Sequence, residues 1–329
     1  MWGMLIKLTC ILVLAGVLAV PNALASGGPL FALVGGAGVS DGPTRFVPVI
    51  NNSGNDTTLE RISTKDGTVG VTVDLVGQWG VPSTAAGGAE GLSPNGSRLV
   101  LSDVGNGQTS PSKFLVMNPR TMRTVRAITL KGYFSYDAMS PSASRLYLIQ
   151  YIRGPADMSH YVVRGYDLRT GRMLPGRIAD RTQKSWVMEG YPVTRTRSLG
   201  GRWVYTLYTN PAGYPFIHAL DTVRGVAHCV GLPMTNQNGI YNIVLGLHGR
   251  MLSVHWRSGR PFVNVDTTTW RVSPAHRGGF PWWTLAFVAL APLALLVRRR
   301  HHHRPANLNR KRADILILRD EAPEPELVA

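Results

Sequence analysis

Glu90 and Asp137 occupy the same place in two copies of a repeated segment, each three residues before a shared serine, Ser93 and Ser140. Arg197 lies near the corresponding place in the next copy. If the fold brings this trio to one opening, it offers two carboxylates and a guanidinium. Such a set binds a cation or a polar ligand, and it does acid–base work if burial raises one carboxyl pKa. The competing reading is that these are solvated turn or groove residues. A second candidate is His218 with His228, placed symmetrically about the turn Asp221–Gly225, so that a symmetric hairpin sets the imidazoles opposite each other. Opposed imidazoles at cross-strand spacing can share a metal ion, but tetrahedral metals want three or four ligands. Cys229, next along, belongs to the other strand face. Half-buried strand residues are the simpler account of both histidines.

The common catalytic signatures are missing. There is no nucleophile elbow, phosphate loop, zinc-protease helix or paired-cysteine metal motif, and no cofactor is expected. Gly35-Gly36-Ala37-Gly38 has no helical pattern after it and reads as a glycine-rich strand or turn. Of the two cysteines, Cys10 lies in the apolar leader, so Cys229 alone remains in the mature chain and no internal disulfide is expected.

The elements that must position these residues are strands. From Ser26 to Gly279 the chain is rich in Gly, Pro, Thr, Ser and β-branched residues, without long apolar spacing at helical period. Leu92-Ser93-Pro94-Asn95-Gly96-Ser97-Arg98-Leu99-Val100-Leu101 recurs as Met139-Ser140-Pro141-Ser142-Ala143-Ser144-Arg145-Leu146-Tyr147-Leu148, 47 residues later. Weaker copies begin at Leu199 and Leu247. Each sets a tight polar turn before an arginine and an alternating apolar strand, as a hairpin requires. A second turn follows each copy: Asn118–Thr121, Asp167–Gly171, Asp221–Gly225 and Asp266–Thr269, with an earlier one at Thr64–Gly67. Asp or Asn opens such a turn by accepting backbone amides, and Gly closes it where φ is positive.

These turns resemble the WD-repeat-like and YVTN-type β-propeller repeats of bacterial cell-envelope proteins, in which a Ser-Pro-Asp-Gly turn precedes one strand and an Asp-x-x-Thr-Gly turn joins the next two. The resemblance spans about residues 30–275. It implies an all-β propeller of five four-stranded blades, the first running from Phe31 to Val76, or six if Gly176–Gly190 belongs to an extra, degenerate blade. On that fold Glu90 and Asp137 belong to innermost strands facing the central channel, with Arg197 near them. Trp79, Trp186, Trp203, Trp256 and Trp270 are expected to pack between blades.

The two ends of the chain give its expected address. Lys7, the apolar run Ile11–Val20 and Ala23-Leu24-Ala25 read as a signal peptide over residues 1–25. The extracytoplasmic domain is then 26–279. Phe280–Val297 is free of charge and long enough for one transmembrane helix, with Trp282 and Trp283 at one interface and Arg298, Arg299 and Arg300 holding the other end in the cytoplasm. A basic-then-acidic cytoplasmic tail fills 298–329.

Charge is lopsided within the middle segment, 26 basic residues against 14 acidic. For an exported domain the accessible counterparts are anionic lipid or wall polymers rather than nucleic acid, unless the arginines reflect coding preference alone. The expected function is therefore that of a membrane-integral binding or scaffold module for an envelope protein or wall component. The alternative is a metal-assisted hydrolase or lactonase at the channel.

Overall fold

The computed structural model describes residues 32–182 and 188–275. The leader, Phe31, Trp186, the apolar segment 280–297 with Trp282 and Trp283, Arg298–Arg300 and the tail lie outside the described residues. Among the described residues no helix is long and apolar enough to cross a membrane, and the helical turns are the short Pro155–Asp157 and Ile240–Asn242.

Strands fall into five antiparallel sheets among the described residues. A two-residue strand β1 (Ala32–Leu33) precedes the first sheet, which runs β2 (Val39–Ser40), β3 (Thr44–Ile50), β4 (Asp56–Ser63), β5 (Val69–Val76). The second holds β6 (Trp79–Pro82), β7 (Leu99–Asp103), β8 (Ser112–Asn118) and β9 (Arg123–Leu130), with β1 added beside β6. In the third, β10 (Tyr133–Met139), β11 (Arg145–Tyr151) and β12 (His160–Asp167) are edged by two short strands, β13 (Arg172–Met173) and β14 (Met188–Glu189), both paired with β12. The fourth is β15 (Pro192–Arg197), β16 (Trp203–Tyr208), β17 (Phe216–Asp221), β18 (Val226–Gly231). The fifth is β19 (Ile243–His248), β20 (Met251–Trp256), β21 (Pro261–Asp266), β22 (Val272–Pro274).

Among the described residues this is a β-propeller of five blades, as the turns imply. The described segment around Ile178 bridges Val163, and Met188–Glu189 pairs with β12, so the described parts of this stretch edge the third blade rather than forming the alternative sixth. One boundary differs from the sequence expectation. The first blade starts at Val39, because Ala32 and Leu33 pair with Pro82 and Val81 of the second.

Strand alternation explains the stacking of the blades. Successive side chains of a strand point to opposite faces, so each middle strand feeds two neighbours. Leu99 and Leu101 turn toward the first blade while Val100 joins the third. Leu146 and Leu148 face the second blade; Tyr147 and Ile149 face the fourth. Val204 and Tyr208 return that contact, and Tyr205 and Leu207 pack on the fifth. Each fully buried aliphatic side chain contributes roughly 1.5–3 kcal/mol, which no blade obtains alone. Trp79 lies in the seam between blades one and two, while Trp203, Trp256 and Trp270 pack against the seam between four and five.

The turn grammar holds in atomic detail. The hydroxyl oxygens of Ser93, Ser140 and Ser198 accept the amides of Arg98, Arg145 and Trp203 at 2.9, 3.0 and 3.0 Å. Three residues beyond each serine the backbone turns left-handed, at Gly96, Ala143 and Gly201. The Asp and Asn of the second turns accept two successive amides: Asn118 from Arg120 and Thr121, Asp167 from Arg169 and Thr170, Asp221 from Val223 and Arg224, Asp266 from Thr268 and Thr269.

Candidate functional site

The innermost strands of blades one to four meet around a cavity of about 350 Å³ lined by Gly38, Glu90, Asp137, Arg195 and Arg197, among others. Anchoring each blade on the first residue of its inner turn makes this register plain. Ser93, Ser140 and Ser198 are equivalent, and three residues before them stand Glu90, Asp137 and Arg195. In the first blade Asp41, whose amide is bonded to the carbonyl of Thr44, takes the serine's place, and the residue three before it is Gly38. A Cβ on Gly38 would stand 2.6 Å from the carbonyl oxygen of Phe46, so that blade brings only backbone to this level.

Arg195 holds the cluster together. Its Nε donates to Thr206 Oγ1 at 2.8 Å, Nη1 donates to Glu90 Oε2, and Nη2 donates to Asp137 Oδ1 at 2.8 Å. Side-chain exposures are 4% for Arg195, 1% for Asp137 and 19% for Glu90. Asp137 lies where the pairing of β10 with β11 shifts by one residue between Tyr136 and Ala138. A bulge of this kind re-aims a side chain, here into the interior. Burial pushes the Glu90 carboxyl above its ordinary value, although Arg195 opposes that shift. The flanking carboxylates overcome burial at Arg195 and hold its guanidinium firmly protonated.

The sequence placed Glu90, Asp137 and Arg197 at one opening, and all three line this cavity; Arg195, which bonds both carboxylates, was not among the candidates. Arg197 Nη1 donates to the Leu92 carbonyl at 3.2 Å rather than to either carboxylate. Arg195 is missed when the third copy starts at Leu199; counting back from Ser198, the turn serine, selects it. That signal was present in the sequence.

Between β6 and Glu90 the chain makes a small hairpin, with the Glu90 amide bonded to the Pro82 carbonyl, Ser83 bridging Ala89, and the Thr84 amide bonded to the Gly88 carbonyl. Its tip crosses to the fourth blade, where the amides of Ala85 and Ala86 donate to the carbonyls of Pro192 and Val193 at 2.9 and 2.8 Å. The run Ser83-Thr84-Ala85-Ala86-Gly87-Gly88-Ala89 is made of small residues, as the crowded axis of a five-bladed ring demands. Gly91 lets the inner strand resume: at φ 103° a Cβ there would lie 2.4 Å from the Val100 carbonyl oxygen. The cavity adjoins this hairpin, with Ala89, Gly91 and Leu92 in its wall.

The histidine pair is corrected by register. Asp221 pairs with Val226, so His218 faces Cys229 and His228 faces Ala219. A shift of one residue sends every side chain to the other face, and the two imidazoles therefore do not oppose each other. His218 is fully buried, with Nδ1 3.6 Å from Cys229 Sγ. His228 instead meets Asp180, Nδ1 to Oδ2 at 3.1 Å, and packs on Trp270. Among the described residues no three His, Cys, Asp or Glu side chains converge as a metal site. Burial lowers the His218 pKa, while the Cys229 thiol is pushed up to about 12, mainly by burial and next by the Asp180 carboxylate. Neither group is primed as a nucleophile or base.

Comparison with known proteins adds likeness without identity. No family model matches the sequence, and no curated protein matches it. Among solved structures the chain is similar to TolB from Acinetobacter baumannii, at 14% identity and TM-score 0.40, over 67% of this chain and 51% of that one. It is similar to BamB from Moraxella catarrhalis, at 15% identity and TM-score 0.41, over 72% and 62% of the two chains. A third is the β-propeller domain of Myceliophteria thermophila Cps50 (Swd1), at 10% identity and TM-score 0.43, over 72% and 66%. The chain thus spans about half the length of the TolB chain it matches. On its own sheet order and turn grammar, the chain is a β-propeller repeat protein whose inner strands close around a buried carboxylate–guanidinium cluster.

Proposed function

We propose that this chain is an exported, membrane-anchored β-propeller that serves as a binding or scaffold module for an envelope protein or a wall component. The observation that carries the reading is Arg195. Its guanidinium stands between the two channel carboxylates, in the space a shared metal ion would need, and ties both into the framework. The central site therefore stiffens the ring and leaves the turn-bearing surface to meet partners. A metal-assisted hydrolase at the channel is less well supported for the same reason. The anchored, extracytoplasmic address rests on the sequence of residues 1–25 and 280–297.

The test is crosslinking of the intact protein in its native membrane, followed by identification of what is captured. A specific envelope protein or wall fragment is expected. Recovery of the protein alone, at crosslinker densities that trap known neighbours in the same membrane, would count against the reading.

A further inference from the structure

Antiparallel strand order puts the turn between the first and second strands of a blade, and the turn between the third and fourth, at the same end of the sheet. Contacts between blades show that these ends gather on one face: Arg145 Nη1 and the Tyr147 hydroxyl donate to the carbonyls of Val223 and Thr222, at 2.9 and 2.6 Å. These ten turns, with three flanking residues on each side, carry 15 basic and 7 acidic residues. The remaining described residues carry 9 and 7. Most of the excess charge is thus on one face.

The pattern within that face repeats by blade. Arg45, Arg98, Arg145, Arg202 and Arg250 each stand within one residue of the start of a second strand. Arg202 and Arg250 are neutralised by Asp221 and Asp266. Arg45, Arg98 and Arg145 donate to the backbone carbonyls of Gly36, Ser97 and Val223 and have no ion-pair partner among the described residues. Between blades one and two lies a cleft of about 390 Å³, with Arg61 and Arg120 in its wall beside Asn95, and Arg61 Nη1 donates to the Arg120 carbonyl. Asp41 also lines it, its Oδ1 accepting the Thr44 amide. Pro94 belongs both to this cleft and to the central cavity, at whose mouth Arg197 is exposed.

We propose that this turn face binds a linear phosphate-bearing polyanion, laid along the track from Arg197 past Pro94 to Arg61 and Arg120. The proposal rests on the binding-module reading and names its partner class. Guanidinium groups pair with phosphate oxygens in two-point contacts that an ammonium cannot match, and 14 of the 15 cations on the face are arginines. A cleft of about 390 Å³ admits a narrow chain, whereas the flat surface of a bilayer cannot enter it.

The test uses the full chain in discs of zwitterionic lipid, titrated with a fluorescent synthetic glycerol-phosphate polymer over a range of salt. Binding should weaken as salt rises. Combining Arg61→Ala, Arg120→Ala and Arg197→Ala should weaken binding by about tenfold or more at ~0.1 M salt, and flatten the slope of log affinity against log salt by about one per lost phosphate contact. Lys131→Ala with Arg257→Ala, at the opposite end of the blades, should leave both within about twofold of the parent. If the alanine set unfolds, Arg120→Gln with Arg197→Gln takes its place, since neither arginine has an ion-pair partner among the described residues. Equal loss from both ends of the blades, no binding at low salt, tighter binding of duplex DNA of equal charge, or displacement by anionic vesicles but not by excess polymer would each overturn the proposal. Should the membrane crosslink still capture a protein while the polymer fails to bind, this inference falls and the binding-module reading stands. If both fail, both fall.

Discussion

Arg195 and His218 are buried in the same sheet, and the fold treats them in opposite ways. Arg195 stays charged because Glu90 of the second blade and Asp137 of the third meet its two terminal nitrogens. His218 has a thiol across the strand pair and a tyrosine ring beside it, and burial lowers its pKa. Residues on one strand cannot settle such a difference. A buried group keeps its charge only where neighbours of opposite sign arrive from elsewhere, and at the axis of a propeller several blades deliver side chains to one point. Between two blades the supply is smaller, and the economical state is neutral.

The largest expected effect tests the charged member. Arg195→Met leaves two buried carboxylates without a counter-ion and should cost about 3–5 kcal/mol in urea unfolding of the full chain. Adding Glu90→Gln and Asp137→Asn should recover much of that loss. A single variant as stable as the parent would show that the cluster is not coupled.

The neutral member is tested by its neighbour. With the Cys229 thiol pushed up to about 12, a Cys10→Ser chain should react with a thiol reagent at about pH 8 roughly a thousandfold more slowly when folded than in urea. Comparable rates in the two states would remove the argument for a sealed, uncharged hairpin.

The smallest effect sharpens the contrast by its sign. The folded Glu90 carboxyl is raised above its ordinary 4.5, so the unfolded chain binds fewer protons there and stability falls as pH rises from 4.5 through the folded value. Folded His218 is lowered from 6.5, so the unfolded chain binds more protons and stability falls as pH drops below 6.5. Glu90→Gln should flatten the first limb and His218→Phe the second, in unfolding midpoints followed between about pH 4 and 8. Matching profiles for the two variants would mean that neither site behaves as described.

Much of the architecture was legible because turns are local. Ser93 and Asp167 organise their own amides within five residues, so their spacing announced hairpins and blades. The channel carboxylates were legible for the same reason, since they keep a fixed distance from those serines. The identity of their counter-ion was one anchor residue away, at Ser198. The histidine hairpin was misjudged because symmetry about a turn is uncertain by one residue, and in a strand one residue reverses the face.

By itself the sequence determined the repeats, the strand alternation and the excess of arginine, all properties set by neighbours in the chain. Tertiary structure alone decided that the small-residue run Ser83–Ala89 would cross the axis to β15, that Asp137 would be bulged inward to meet Arg195, and that most of the excess positive charge would gather on one face. Those outcomes depend on which strand ends share a side of the ring and which side chains meet at its axis. Only closing distances between residues far apart in the chain can fix them.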